Sequence, residues 1–372
     1  MRKRAVQNFT GLGNYSRYVA DILCHFYPEN DYVLYAPKKR ENKRMNLLTG
    51  QYRQLTLAYP ATSFWKKLSS LWRVWGITSQ LEKEGIELFH GLSNELPLNI
   101  HKSRIKSIVT IHDLIFLRYP QYYQSIDRKI YTYKFRKACE NADKIIAISE
   151  CTKRDITRYF NIPDDKIEVV YQGCDVSFTH PVTEEKKEEV RKKYQLPDHY
   201  ILNVGSIEER KNILAAVQAL PMLPQHIHIV IVGRRTGYTK KVEQFIKDNG
   251  LGERVHIISN VPFNDLPAFY QSAEIFVYPS RFEGFGIPII EALYSGIPVV
   301  AATGSCLEEA GGPDSIYVNP DDITGLADAF KQIYSNSDKR KNMVEKGREF
   351  AKRFSEKQQS EEIINIYKKL IR

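Results

Sequence analysis

Short apolar runs alternate with helical patterns through the second half of the chain. Strands are predicted at residues 200–204, 226–232, 255–258, 275–278, 298–301 and 316–318, with helices near 211–220, 238–249, 264–271 and 288–295. Apolar strands separated by helices of this length specify a parallel, doubly wound sheet, since each parallel connection needs a crossover that covers the sheet. The first half repeats the theme, with strands at 32–35, 86–90, 107–111, 144–148 and 167–170 and helices at 131–141 and 151–159. Beyond Asp321 the pattern is helical to the end, closing on an amphipathic stretch over 361–370. A Pro-bearing, charged segment over 176–195 separates the halves. The pattern therefore reads as an α/β protein of two doubly wound domains.

The most informative segment is Glu283-Gly284-Phe285-Gly286-Ile287-Pro288-Ile289-Ile290-Glu291. Pro288 suits a first helical position and Gly296 the residue after a last turn, so a helix is expected over about 288–295. Apolar strands on either side make this a βαβ unit, whose loop lies at the carboxyl ends of the strands, where α/β sheets bind ligands. Backbone N–H groups of residues 284–287, backed by the helix dipole, would face an anionic ligand. The plainer alternative is a tight strand-to-helix turn bearing two surface glutamates.

Composition narrows the class. With 372 residues, 42% apolar and 26% charged, the chain is neither disordered nor fibrous and has room for two cores. Five scattered cysteines (Cys24, Cys139, Cys151, Cys174, Cys306) show no disulfide or zinc spacing and read as small buried side chains in a reducing compartment. No apolar run reaches 18 residues, and the polar start over 1–7 lacks the apolar core of a signal peptide, so a cytoplasmic protein is expected. The net charge of +10 is uneven: residues 1–180 hold 28 Lys+Arg against 18 Asp+Glu, and residues 181–372 hold 26 against 26. The first half is therefore suited to an anionic partner such as a membrane face, a lipid diphosphate or nucleic acid, or else is simply a solvated basic surface.

Other motifs add chemistry. In 204–212 (Val-Gly-Ser-Ile-Glu-Glu-Arg-Lys-Asn), Gly205 permits close backbone approach, and Arg210 with Lys211 places two cations at a strand end. Fixed cations there suit a diphosphate leaving group, whose charge grows as the bond breaks. A solvated basic pair at a helix start is the bland reading. Thr10-Gly11-Leu12-Gly13, before a helix over 17–23, is a glycine loop without the third glycine of a dinucleotide fingerprint. His112, in Thr110-Ile-His-Asp113, sits at a strand end and serves either proton transfer or structure. Residues 63–76 are aromatic and basic at helical spacing, as in an interfacial helix or one packed on its own domain. No Asp-x-Asp occurs, so no metal clamp is suggested, and no nucleic-acid module is found.

Together these motifs resemble glycosyltransferase family four, the retaining nucleotide-sugar enzymes of the GT-B fold, with a feel of bacterial mannosyltransferases of surface polysaccharide assembly. The resemblance covers nearly the whole chain: Gly11 to Gly13, His90-Gly91, Thr110 to Asp113 and 142–149 in the first half, then 204–212, 260–266, 278–280 and 283–291. It implies two Rossmann-like domains facing a central cleft, over 1–180 and 181–355, with a last helix in 356–372 crossing back to the first. Arg210 and Lys211 would hold the donor diphosphate, Glu291 the ribose hydroxyls and Glu283 the donor sugar. Backbone groups of Gly284, Phe285, Gly286 and Ile287 would orient sugar and diphosphate. Gly11, Gly13 and Gly205 would allow close approach, Val261 would flank the base, and His112 would contact the transferred sugar. The implied reaction is metal-independent hexose transfer with retention, mannose from GDP-mannose first and a UDP-sugar next, onto a saccharide or lipid-linked saccharide. The basic first domain would touch the inner membrane face. A same-fold epimerase and a non-catalytic basic module are the remaining readings. One departure stands out: relatives begin with an apolar strand, and only residues 1–9 precede Thr10 here, so a first strand is expected to be missing.

Overall fold

The computed structural model describes residues 11–39 and 42–371. Residues 1–9, on which the expectation of a missing first strand falls, and Thr10 lie outside the described residues. Two units are present, Met1–Tyr171 with Glu356–Arg372, and Gln172–Ser355. The first unit thus ends at Tyr171 rather than at residue 180, and the final helix is counted with it.

Among the described residues the strands of the first unit form two parallel sheets. One pairs β1 (Tyr32–Tyr35) with β2 (Leu55–Ala58); the other runs β3 (Leu88–Gly91), β4 (Lys106–Ile111), β5 (Lys144–Ala147) and β6 (Ile167–Val169) in sequential order. β2 was absent from the sequence reading, because Thr56 interrupts Leu-Thr-Leu-Ala and no apolar run marks it. Helix α1 spans Gly11–Phe26. Gly11 and Gly13 therefore lie in its first turn, which corrects the expected open loop and the helix start near Arg17. Tyr15, Val19, Ile22 and Leu23 form one buried stripe against Ile363 and Ile366 of the final helix. That burial outweighs the roughly 1 kcal/mol that each helical glycine costs.

Helix α2 (Ser125–Asn141) starts six residues before the predicted 131 (131 − 125 = 6), and α3 is Glu150–Phe160. The residues at 63–76 do not make one helix. They break into Ser63–Lys67, Ser69–Leu71 and a π-turn at Trp72–Gly76. Trp72 is fully buried with its Nε1–H donated to Gln80 Oε1 at 3.0 Å, whereas Phe64, Leu71 and Trp75 stay exposed.

In the second unit β7 (Tyr200–Val204), β8 (His228–Val232), β9 (Val255–Ile258), β10 (Ile275–Tyr278), β11 (Val299–Ala302) and β12 (Ile316–Val318) form one parallel sheet. Its order is β12-β11-β10-β7-β8-β9. β10 and β11 are buried at every position, as parallel strands covered on both faces must be. On one face Ile201, Ile229, Ile275 and Val300 pack with α4 (Ile213–Ala219) and with Leu326 and Phe330 further on. Helix α5 is Leu266–Gln271, and α6 is Ile287–Ser295, with Gly296 ending it at φ 75°. Then follow α7 (Ile323–Tyr334), α8 (Ser337–Ala351) and α9 (Glu356–Ile371), the helical tail read from sequence. All five cysteines are buried thiols. Among the described residues no helix is long and apolar enough to cross a membrane.

The ends of β7 and β8 approach very closely. A Cβ on Gly233 would lie 1.8 Å from the Gly205 carbonyl oxygen. Gly233→Ala must therefore push the Gly205 loop aside, and it is expected to lower stability by about 1–3 kcal/mol in chemical denaturation. An unchanged midpoint and slope would contradict this packing.

Candidate functional site

Neighbouring strands of the second sheet send their crossovers in opposite directions at one place, between β7 and β10. Both candidate loops of the second half start there, at the carboxyl ends of those strands, where such sheets open a crevice. After β7, Gly205 takes φ 154°, and a Cβ on it would sit 2.8 Å from Lys211 Nζ. A single 3-10 turn, Glu209–Lys211, follows, and Asn212 at φ 55° ends it. Arg210 and Lys211 thus precede α4 instead of opening a helix at 211.

The basic pair is not free. Arg210 Nη1 lies 2.9 Å from Glu283 Oε2, and it also donates to the Phe282 carbonyl. Lys211 Nζ lies 3.8 Å from Glu283 Oε1 and donates to Tyr278 Oη at 3.1 Å. Ser280 Oγ and Tyr278 Oη in turn donate to Glu283 Oε1, at 2.9 and 3.1 Å. Glu283, expected to hold a sugar, is here the counter-ion of the two cations. Burial pushes its carboxyl up, but Lys211 and Arg210 outweigh that and hold it below the usual carboxylate range. Burial likewise lowers Lys211, yet Tyr278 and Glu283 raise it further, so the ammonium stays charged.

The loop between Glu283 and α6 is fixed from behind. Cys306 Sγ donates to the carbonyls of Glu283 and Phe285, at 3.0 and 2.7 Å. The Phe285 side chain is a core anchor, T-shaped on Phe354 with centroids 5.6 Å apart, which leaves only its backbone for the contact expected from sequence. Gly286, at φ 154°, is buried where a Cβ would come within 3.1 Å of the Ala310 Cβ. Gly284 and Ile287 are half-buried. On α6, Glu291 Oε2 accepts from Tyr270 Oη at 2.6 Å. Burial raises this carboxyl to about 7, against the Tyr270 hydrogen bond and the charge of Lys211. Val261 is half-buried just beyond β9, after Asn260 at φ 60°.

His112, Gly11 and Gly13 belong to the first unit. His112 is buried at the end of β4, with its N–H donated to Asn94 Oδ1 at 2.7 Å. Its Nε2 lies 2.9 Å from the Leu92 carbonyl, which only accepts, so that nitrogen carries the proton. Sequence reasoning gave no role to Tyr278, Ser280, Tyr270 or Cys306. Tyr278 and Ser280 stand in a recognised segment at a strand end, which was a usable signal; nothing local marks Tyr270 or Cys306.

Comparison with known proteins bears on this arrangement. The family profile described as Glycosyltransferase Family 4 matches residues 16–178, and that described as Glycosyl transferases group 1 matches residues 184–350. O-antigen chain mannosyltransferase B of Escherichia coli is 30% identical over 289 residues, 76% of this chain and 74% of that protein. O-antigen chain mannosyltransferase RfbU of Salmonella typhimurium is 29% identical over 225 residues, 60% of each. Among solved structures, a glycosyltransferase from Rickettsia africae superposes with TM-score 0.78 at 20% identity, covering 97% of this chain and 96% of that one. Anabaena Alr3699/HepE, in complex with UDP and glucose, gives 0.76 at 17% identity over the same shares.

Removing Glu283 would leave two cations that are only 14% and 18% exposed without their carboxylate. Glu283→Ala is expected to cost about 3 kcal/mol of stability, measured by guanidinium unfolding. Added pyrophosphate should restore part of that loss, because an anion binding the folded state replaces the carboxylate. Wild-type stability in this variant would show that the pairing contributes nothing.

Proposed function

The chain belongs to the family 4 glycosyltransferases, with a group 1 domain on the GT-B fold, and from that premise we infer that it transfers mannose from GDP-mannose to a saccharide or lipid-linked saccharide during cell-surface polysaccharide assembly. The observation that carries this reading is the half-buried cluster of Arg210, Lys211 and Glu283 at the β7–β10 switch, with Glu291 one helix turn beyond. Mannosyltransferase relatives favour that donor sugar, and a UDP-sugar is the alternative that a binding screen separates.

In this reading the donor diphosphate takes the place of Glu283 beside the two cations. The released carboxylate then accepts hydroxyls of the donor sugar, and Glu291 accepts those of the ribose. As the glycosidic bond breaks, charge grows on the departing phosphate, where the fixed cations stabilise it most. Attack from the same face, with the leaving oxygen taking the acceptor's proton, gives retention. Positive charge comes from Arg210 and Lys211, so no divalent ion enters the scheme. Cysteines carried as buried thiols are in keeping with action in the cytoplasm.

Arg210→Ala and Lys211→Ala are each expected to lower turnover about 10²–10³-fold with circular dichroism unchanged. Wild-type turnover in both would discard the leaving-group role. A pH dependence follows from Glu291, whose carboxyl lies at about 7 in the free protein. Ribose hydroxyls donate to the ionised form, so binding favours loss of the proton. GDP-mannose affinity should then rise with pH through about 7, by up to about tenfold per unit below it. Calorimetry between pH 6 and 8 tests this, with Glu291→Gln flattening the profile. A flat wild-type profile would remove Glu291 from the ribose site.

A further inference from the structure

Helix α2 turns apolar side chains outward. Ile126, Ile130 and Tyr133 recur at i, i+4 and i+7 and are 64%, 44% and 56% exposed. Two cavities flank this stripe, both within the first unit. One, of about 440 Å³, is walled by Val74, Trp75, Leu96, Leu98 and Ile130. The other, of about 540 Å³, is bordered by Arg128, Lys129, Thr132 and Arg136, with no carboxylate among its lining residues. Lys129 and Tyr133 border both.

The charges of the two differ in kind. In the first, Arg73 and Lys134 already face Glu95, at 2.9 and 3.6 Å. In the second, Arg128 Nε is buried with no hydrogen-bond partner. Such a donor costs free energy until an acceptor arrives, and a guanidinium suits a phosphate. A neutral lipid would leave Arg128 unsatisfied, and a free phosphate would leave the apolar cavity wet. A phosphate-headed amphiphile satisfies both.

The geometry points to a lipid-phosphate site: a hydrocarbon chain lies in the cavity beside Trp75 and Ile130, and its phosphate meets Arg128, Lys129 and Arg136. As the anchor of a lipid-linked acceptor this rests on the transferase reading; the binding itself does not.

All three tryptophans, Trp65, Trp72 and Trp75, lie in residues 63–76, so intrinsic fluorescence reports on the first cavity. Titrating the full chain with dodecyl phosphate, below its micelle concentration, should shift the emission saturably. Ile130→Glu and Tyr133→Ala, at exposed positions, should each weaken binding at least tenfold with unchanged melting. Arg128→Ala should weaken dodecyl phosphate at least fivefold but leave dodecyl maltoside unaffected. The absence of a saturable shift, equal affinity in Ile130→Glu, or an equal response to inorganic phosphate would overturn the proposal. So would phosphatidylglycerol vesicles that bind wild type and Ile130→Glu alike while dodecyl phosphate does not bind, which would assign the surface to a bilayer. GDP-mannose binding, measured separately, distinguishes failure here from failure of the donor reading.

Discussion

A carboxylate held between two cations ties together loops that leave different strands. Glu283 follows β10 and the basic pair follows β7, and their 2.9 Å contact spans the crevice in which the sheet changes direction. Everything else at the site is arranged around that pairing. Tyr278 and Ser280 fill the remaining lone pairs, Cys306 holds the loop backbone, and Gly205 leaves room for the Lys211 head. Such a cluster stabilises only when every member is hydrogen-bonded, and it is costly when one is removed.

The same pairing makes the site an anion competitor. Glu208 stands 3.8 Å from the Arg210 guanidinium on its other side, so an anion reaching the pair would meet two cations and carboxylates it could displace. The neutral tendency of Glu291 sets a contrasting environment one helix away. Two half-buried acids of one loop and helix are thus driven apart by their neighbours, one towards charge and one towards the proton, which is how a single fold gives like residues unlike tasks.

What the sequence shows depends on the range of the forces involved. β7, β9, β10 and β12 appear with the bounds expected because each is written as a short apolar run, whether covered on both faces, as β10 is, or half-buried at a sheet edge, as β9 and β12 are. The limits of α6 follow from Pro288 and Gly296 in the same local way. β2, Leu-Thr-Leu-Ala, escapes because Thr56 interrupts its apolar run. The start of α2 escapes because Ile126 and Ile130 face outward, and α1 reaches back over Gly13 on the strength of contacts with a helix about 350 residues away in the chain. Arg210, Lys211 and Glu283 were each visible as chemistry, whereas their pairing across a long stretch of chain was not.

The return of the last helix makes the second unit an uninterrupted insertion within the first. Tyr367 Oη lies 2.6 Å from His90 Nδ1, and His90 Nε2 lies 2.8 Å from Thr110 Oγ1, so the final turns of the chain complete a polar core laid down early in synthesis. Gln172–Ser355 can acquire its sheet as a contiguous segment, while the first unit must wait for residues beyond Glu356. Order of completion is therefore the reverse of order of translation, and a nascent chain holds a finished second unit while its first is still incomplete.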